Sequence, residues 1–195
     1  MHMLQWLIKI IIPKMKHFIP ILTVMLVSVG LVAFQNIGTP KTPEGKLKAL
    51  GIVLSTPDAP KNAYVPFVQT GNLVFLSGKG PKNQDGKYIT GKLGKDLSVD
   101  QGKAAARKIA IAQLSELKAG LGKLSRVKRI VKVSGFVNSA ADFADHSAVI
   151  DGFSDLMVAA FGEKGRHART AIGVSSLPFN MAVEVEVIVE VDRDK

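Results

Sequence analysis

The chain has 195 residues, of which 47% are apolar and 22% are charged. This composition excludes a disordered tail and a repeat array, and the length fits one compact domain with an appendage. Lysine and arginine total 26 against 16 acidic residues, so the formal net charge of +10 favours anionic ligands without naming one. The chain has no cysteine, which excludes disulfides, cysteine-ligated metal sites and thiol catalysis.

The first 40 residues contain three lysines and no acidic residue, and the stretch 18–34 carries no charge. A basic start followed by an apolar run is typical of a secretory signal, and Met15 offers an alternative start directly before that run. The 17 residues of the run also reach the short limit of a membrane span. We therefore predict a signal peptide or membrane anchor over 1–40. The protein is then either exported (periplasmic or secreted) or held at a membrane through this segment.

The folded part of the chain is expected to begin after a linker. Residues 41–62 are rich in proline, glycine and threonine and predict that linker, which leaves the domain over 63–195. The apolar runs 64–69 and 73–77, separated by a turn sequence, predict a β-hairpin. Pro66 cannot donate a ladder hydrogen bond, so the first of these strands is expected either at a sheet edge or with a bulge at Pro66.

Two amphipathic helices follow. A capping box at Ser98–Gln101 precedes apolar residues spaced three and four apart, which predicts a helix that ends near Gly120 or Gly122. A second helix is predicted over Asp145–Gly162 by the same spacing, with the glycine as its end. Both helices need a sheet to cover their apolar faces.

The remaining strands complete an α+β fold. Ile130–Val137 and Thr170–Val174 are predicted strands, and Met181–Val191 has the clearest alternation, with every second residue from 183 a valine. We predict a single mixed β-sheet with two helices packed on one face, the valine face. The opposite face carries Ala182, Glu184, Glu186, Ile188 and Glu190. Such a mixed surface suits a subunit interface that contains a site.

Several common sites are not supported by the residues. The loop Gly78–Lys87 lacks the spacing of a phosphate-binding P-loop. The basic segment 123–132 has no interleaved aromatic residues, which argues against nucleic acid as a partner. His146 and His167 have no paired ligand spacing, so no metal is expected. There is no G-x-S-x-G motif for a serine hydrolase.

One pair of charged residues is more informative. Arg169 stands at the head of one predicted strand, and Glu184 lies on the polar face of the next. The two side chains can converge across a hairpin. The residues alone leave two interpretations, an ordinary strand-end salt bridge and a site for a small acid.

Motifs in consistent order resemble the RidA family, also called YjgF or endoribonuclease L-PSP, which has a chorismate mutase-like fold. The resemblance covers about 63–191 and rests on Tyr64, Thr70-Gly71-Asn72-Leu73, Ser77-Gly78, Ala168-Arg169-Thr170, Leu177-Pro178 and Val183-Glu184-Val185-Glu186. The longer connection 161–167 is similar to a divergent branch of that family.

The resemblance implies a trimeric barrel, a homotrimer with three clefts between neighbouring subunits, and no cofactor. It implies an enamine/imine deaminase, similar to a 2-iminobutanoate/2-iminopropanoate deaminase. Such a hydrolase converts 2-imino acids of the 2-aminoacrylate type to 2-keto acids and ammonia. Arg169 would bind the substrate carboxylate, and Glu184 would hold the attacking water. Tyr64 and Ser77 would line the cleft and bind substrate. A nearby Arg169 would favour the carboxylate form of Glu184.

Some positions differ from the family pattern. Ala171 stands where a cysteine is frequent, His167 stands where proline or alanine is common, and the usual cleft asparagine has no clear match, Ser147 or Gly152 being nearest. These departures bear on the choice of substrate. Two other functions stay open: a non-catalytic trimeric binder of small carboxylates such as 2-imino or 2-keto acids, and, ranked last, an RNA-cleaving or RNA-binding protein.

Overall fold

The computed structural model describes residues 40–59 and 63–193. The segment 1–40, for which the sequence predicts a signal or an anchor, lies outside these ranges apart from Pro40. Within the two ranges no helix is long and apolar enough to cross a membrane.

The sheet is mixed, as predicted. Its strands are β1 (Phe67–Thr70), β2 (Leu73–Lys79), β3 (Val127–Asn138), β4 (Ala168–Val174) and β5 (Val183–Val191). They lie in the order β1-β2-β5-β3-β4. β3 and β4 pair in parallel, whereas β1–β2, β2–β5 and β5–β3 pair antiparallel. The predicted hairpin is the β1–β2 pair. β1 is an edge strand that begins directly after Pro66, which confirms that prediction as well.

Three helices accompany the sheet: α1 (Pro43–Ala49), α2 (Val99–Leu121) and α3 (His146–Phe161). The capping box of α2 is present, since the Ser98 hydroxyl accepts from the Gln101 N–H at 3.3 Å and the Gln101 side chain accepts from the Ser98 N–H at 2.8 Å. Gly122 ends α2 with a φ of +78°. α3 supplies the crossover that a parallel β3–β4 pair requires.

The core lies between one face of the sheet and helices α2 and α3. The valines of β5 are all buried: Val183, Val185, Val187, Val189 and Val191. The prediction that the valine face meets the helices is therefore confirmed. The opposite face is partly exposed, with Phe75 at 41% and Ile172 at 44% exposure.

Helix α1 corrects the predicted linker. It lies inside 41–62, and Leu47 on it is 1% exposed and belongs to the core. The Glu44 carboxylate accepts from the Leu124 N–H at 2.6 Å, which attaches the helix to the segment before β3. A seven-residue helix is not stable alone in water, so these tertiary contacts and not local propensity produce it. Residues 40–59 and 63–193 thus contain three α-helices, one more than the two predicted.

Leu47→Ala is expected to destabilise the protein by about 2–5 kcal/mol, because it empties a buried site. Leu50→Ala is the matched control, since Leu50 is 50% exposed one turn further on. Denaturant unfolding of both variants gives the comparison. Equal small effects would mean that α1 is not part of the cooperative domain.

Candidate functional site

Arg169 on β4 points towards α3 and is held there by three side chains. Its Nη1 donates to Asp151 Oδ1 at 2.8 Å and to Ser154 Oγ at 3.0 Å. Its Nη2 donates to Ser147 Oγ at 2.6 Å. The side chain is 22% exposed, so the guanidinium is fixed at the surface edge between β4 and α3.

His167 extends this cluster in its neutral form. Its Nδ1 lies 2.7 Å from the Gly165 carbonyl oxygen, and its Nε2 lies 3.0 Å from Ser154 Oγ. The carbonyl can only accept, so we assign the proton to Nδ1, and Nε2 then accepts from the Ser154 hydroxyl. Burial lowers the pKa of His167 and the charge of Arg169 lowers it further, against the opposing effect of the hydrogen bond to the Gly165 backbone. The hydroxyl of Ser154 therefore accepts from Arg169 and donates to a neutral imidazole.

The partners of Arg169 had a signal in the sequence. Ser147, Asp151 and Ser154 are spaced four and three residues apart, which places them on one stripe of α3. Of these three residues only Ser147 was named from the sequence, as one of the two positions nearest the family's cleft asparagine. The structure gives these two positions different contacts. Ser147 contacts Arg169, whereas a Cβ at Gly152 would lie 2.0 Å from the Lys103 carbonyl oxygen, so Gly152 serves the contact between α2 and α3.

Glu184, Ser77 and Tyr64 line a different part of the molecule, a cleft of about 470 Å³ beside the β2–β5 pair. The Glu184 carboxylate lies against Gly78, where a Cβ would come within 2.2 Å of Oε1. A side chain at position 78 would therefore displace the carboxylate. The Ser77 hydroxyl donates to the Val65 carbonyl at 2.8 Å, which fixes its oxygen as an acceptor within the cleft.

The electrostatic environment of Glu184 in the single chain is set by burial and by a neighbouring carboxylate. Burial raises the pKa of Glu184, and the neighbouring Glu186 raises it further. Three lysines line the same cleft: Lys79, Lys82 and Lys108. Lys79 forms an ion pair with Glu116. The influence of Arg169 on Glu184 stays a prediction for a site in which the two side chains are close.

Arg169 and Glu184 do not meet within one chain. β3 lies between β4 and β5, so the predicted convergence across a hairpin is wrong. Arg169 pairs in register with Val133, a buried residue of the core face, whereas Glu184 pairs with Phe136 on the opposite face. Since paired residues project to the same side, the two charged groups lie on opposite faces of the sheet.

In residues 40–59 and 63–193 no group of three or more His, Asp or Glu side chains is arranged to hold a metal ion. The polar groups of the two places differ: a guanidinium with its partners on α3, and a cleft with a half-buried carboxylate, a hydroxyl and lysines.

A family model described as "YjgF/chorismate mutase-like, putative endoribonuclease" matches residues 44–191. The chain belongs to this family. The match includes α1 and every strand, and it confirms the resemblance to the RidA proteins.

Three relatives illustrate the similarity. Protein TCP17 of Trypanosoma cruzi is 48% identical over 75% of this chain and 92% of its own. A 2-iminobutanoate/2-iminopropanoate deaminase of Dermatophagoides farinae is 29% identical over 72% of this chain and 96% of its own. A crystal structure of an Agrobacterium tumefaciens protein of unknown function is similar with a TM-score of 0.72 and 43% identity, covering 83% of this chain and 99% of that one.

Glu184→Gln is expected to raise the melting temperature at pH 7 and to leave it nearly unchanged at pH 4. Because its pKa is raised, the folded state disfavours the charged form of Glu184. The contribution of Glu184 to wild-type stability therefore falls as the pH rises through the ordinary value of 4.5 and then through the raised folded value. Glutamine has no such charge.

Thermal unfolding across this pH range tests the shift. Glu163→Gln is the matched control, since the Glu163 side chain is 85% exposed in a surface ion pair. A gain for Glu184→Gln of the same size at both pH values would contradict the raised pKa.

Proposed function

We propose that this protein hydrolyses 2-imino acids to 2-keto acids and ammonia, in a cleft where Arg169 of one protomer meets Glu184 of its partner. The observation that carries the proposal is the cleft with Glu184, Ser77 and Tyr64 beside Gly78. The cleft holds a base and hydrogen-bonding groups but not Arg169. The family supports the proposal, since one of its members is a deaminase of this type.

Arg169 would bind the substrate carboxylate. An arginine has five N–H donors, and its contacts within the described ranges use three of them. The Nε–H and one Nη2–H are left for a ligand. A guanidinium offers two parallel donors to a carboxylate, which a lysine does not. The partners on α3 hold the group in place, so little side-chain freedom is lost when a ligand binds.

Glu184 would act as the base. It accepts a proton from a water as the water oxygen bonds to the imine carbon, and it passes this proton to the nitrogen that receives the C=N electron pair, which gives a carbinolamine. Glu184 then takes the hydroxyl proton as the carbonyl of the 2-keto acid forms, and it gives that proton to the nitrogen as the C–N bond breaks, so that ammonia leaves. Within the single chain, burial raises the pKa of Glu184, and in the two-chain cleft Arg169 of the neighbouring protomer would favour the carboxylate form that a base requires.

A homotrimer would bring the two groups together. β4 is an edge strand, so one side of its backbone is free to pair or to be covered. The sheet face away from the helices exposes Val68 at 50%, Phe75 at 41% and Ile172 at 44%. A partly apolar face of this kind is typical of surfaces buried between subunits.

The activity test couples the purified full chain to a threonine dehydratase that releases 2-iminobutanoate, with the appearance of 2-ketobutanoate as the readout. Arg169→Ala is expected to lower kcat/KM by about 100-fold, because the carboxylate loses its orientation. Glu184→Gln is expected to lower kcat by at least about 100-fold.

Arg166→Ala is the matched control, because Arg166 is exposed, three residues from Arg169, and paired only with exposed Glu163 among the residues the model describes. It should change the rate by less than about twofold. A wild-type protein without acceleration over the uncatalysed rate would refute the deaminase. Thermal stabilisation by 2-ketobutanoate without turnover would support the second candidate, a non-catalytic binder of small carboxylates.

Mixing subunits tests whether the site needs two chains. Neither Arg169→Ala nor Glu184→Gln protein alone has an intact cleft. After unfolding and refolding together at equal amounts, about a quarter of the clefts in a cyclic trimer would combine both native residues. Activity should return to about that fraction. A mixture that stays inactive, while refolded wild type recovers, would contradict the two-chain site.

A further inference from the structure

Phe179 lines the same cleft as Glu184, yet its side chain is 75% exposed. It lies in the short 3-10 turn Pro178–Asn180 that precedes β5. A large aromatic side chain left in solvent beside a cleft is a common feature of surfaces that bind a ligand.

The backbone under Phe179 is strained. Phe179 has a φ of 56° and Asn180 a φ of 57°, and a bulky residue rarely adopts this left-handed region. The surroundings hold the turn in place. The Asn180 carbonyl accepts from the Gly91 N–H at 3.0 Å, and Asn180 Oδ1 accepts from Asn138 Nδ2 at 3.0 Å. Strain that neighbouring elements maintain in this way is found at ligand sites.

The ring of Phe179 is also oriented by its neighbour. It stacks on Tyr88 with a centroid distance of 5.3 Å and an interplanar angle of 13°. Lys82 Nζ lies 5.3 Å from the centroid of the Tyr88 ring. The Tyr88 ring thus contacts both Lys82 and Phe179, whereas most of the surface of the Phe179 side chain is exposed to solvent. Together Phe179 and Tyr88 form a rigid aromatic platform in the cleft.

We propose that the aromatic platform, Phe179 and Tyr88, is a subsite for a flat aromatic side chain of the substrate. The inference rests on the proposed function, because it places the carbon to be attacked near Glu184 and the side chain of the same molecule on Phe179. The preferred substrates are then 2-imino acids with an aromatic group, such as the imine of phenylalanine.

The chemistry of the cleft fits such a ligand. A ring on the open surface of Phe179 removes apolar area from water and adds an offset stack to an existing one. Lys82 and Lys108 line the cleft and favour a molecule with negative charge. An ethyl or methyl side chain has no ring to stack, so the platform discriminates by side-chain type.

Turnover of paired substrates is the first test. An L-amino-acid oxidase supplies the imines of phenylalanine and of 2-aminobutyrate in turn, and semicarbazide traps the imine that the full chain does not hydrolyse. Wild type should show the higher kcat/KM with the phenylalanine imine. Phe179→Ala and Phe179→Leu should each lower that value by about tenfold and change the smaller substrate by less than twofold. Val53→Ala, at an 86% exposed apolar residue outside the cleft lining, is the control.

Binding of the product acids is the second test and needs no turnover. Calorimetry should show tighter binding of phenylpyruvate than of 2-ketobutanoate, with the difference lost in Phe179→Ala. If this preference is present but no imine is hydrolysed, the proposed function fails and the aromatic subsite stands. If both imines are hydrolysed and Phe179→Ala affects them equally or not at all, with no preference in binding, the subsite is refuted and the deaminase stands.

Discussion

The alternation of side chains along β5 is the constraint on which the rest of the structure depends. Successive residues of a strand point to opposite faces of the sheet, so Glu184 cannot lie on the same face as the buried valines. Packing of the valine row against α2 and α3 stabilises the domain, and a register slip of one residue would drive the glutamates into the core. The same register sets Glu184 opposite Phe136 and beside Gly78. The position of the acid in the cleft is thus a consequence of how the core packs.

The two faces of the sheet give the charged residues different environments. On the core side of the edge strand, Arg169 has a carboxylate and two hydroxyls as partners on α3, and burial lowers the pKa of the imidazole beyond them. On the other face Glu184 is partly desolvated, which raises its pKa. A single chain keeps the guanidinium and the carboxylate apart, so a reaction that needs both requires a second subunit.

Much of the fold could be predicted because its signals are local. The capping box at Ser98, the glycine after α2 and the valine alternation of β5 each concern a few neighbouring residues, and each prediction is confirmed. Helix α1 could not be predicted in this way. Its seven residues form a helix because Leu47 reaches the core and Glu44 caps a distant segment. The partners of Arg169 fall between these cases. Their spacing on one stripe of α3 can be seen in the sequence, but the sequence does not show that this stripe packs beside Arg169.

The sequence by itself determined the periodicities, the turns, the family motifs and the identities of Arg169, Glu184, Ser77 and Tyr64 as polar residues to examine. Only the tertiary structure decided which of them share a surface. Strand order put β3 between β4 and β5, and the crossover laid α3 over Arg169. The tertiary structure also showed that the side chain of Phe179 is exposed to solvent beside the cleft. The physical reason is that local pattern sets what a segment forms, whereas pairing between distant segments sets what each side chain faces.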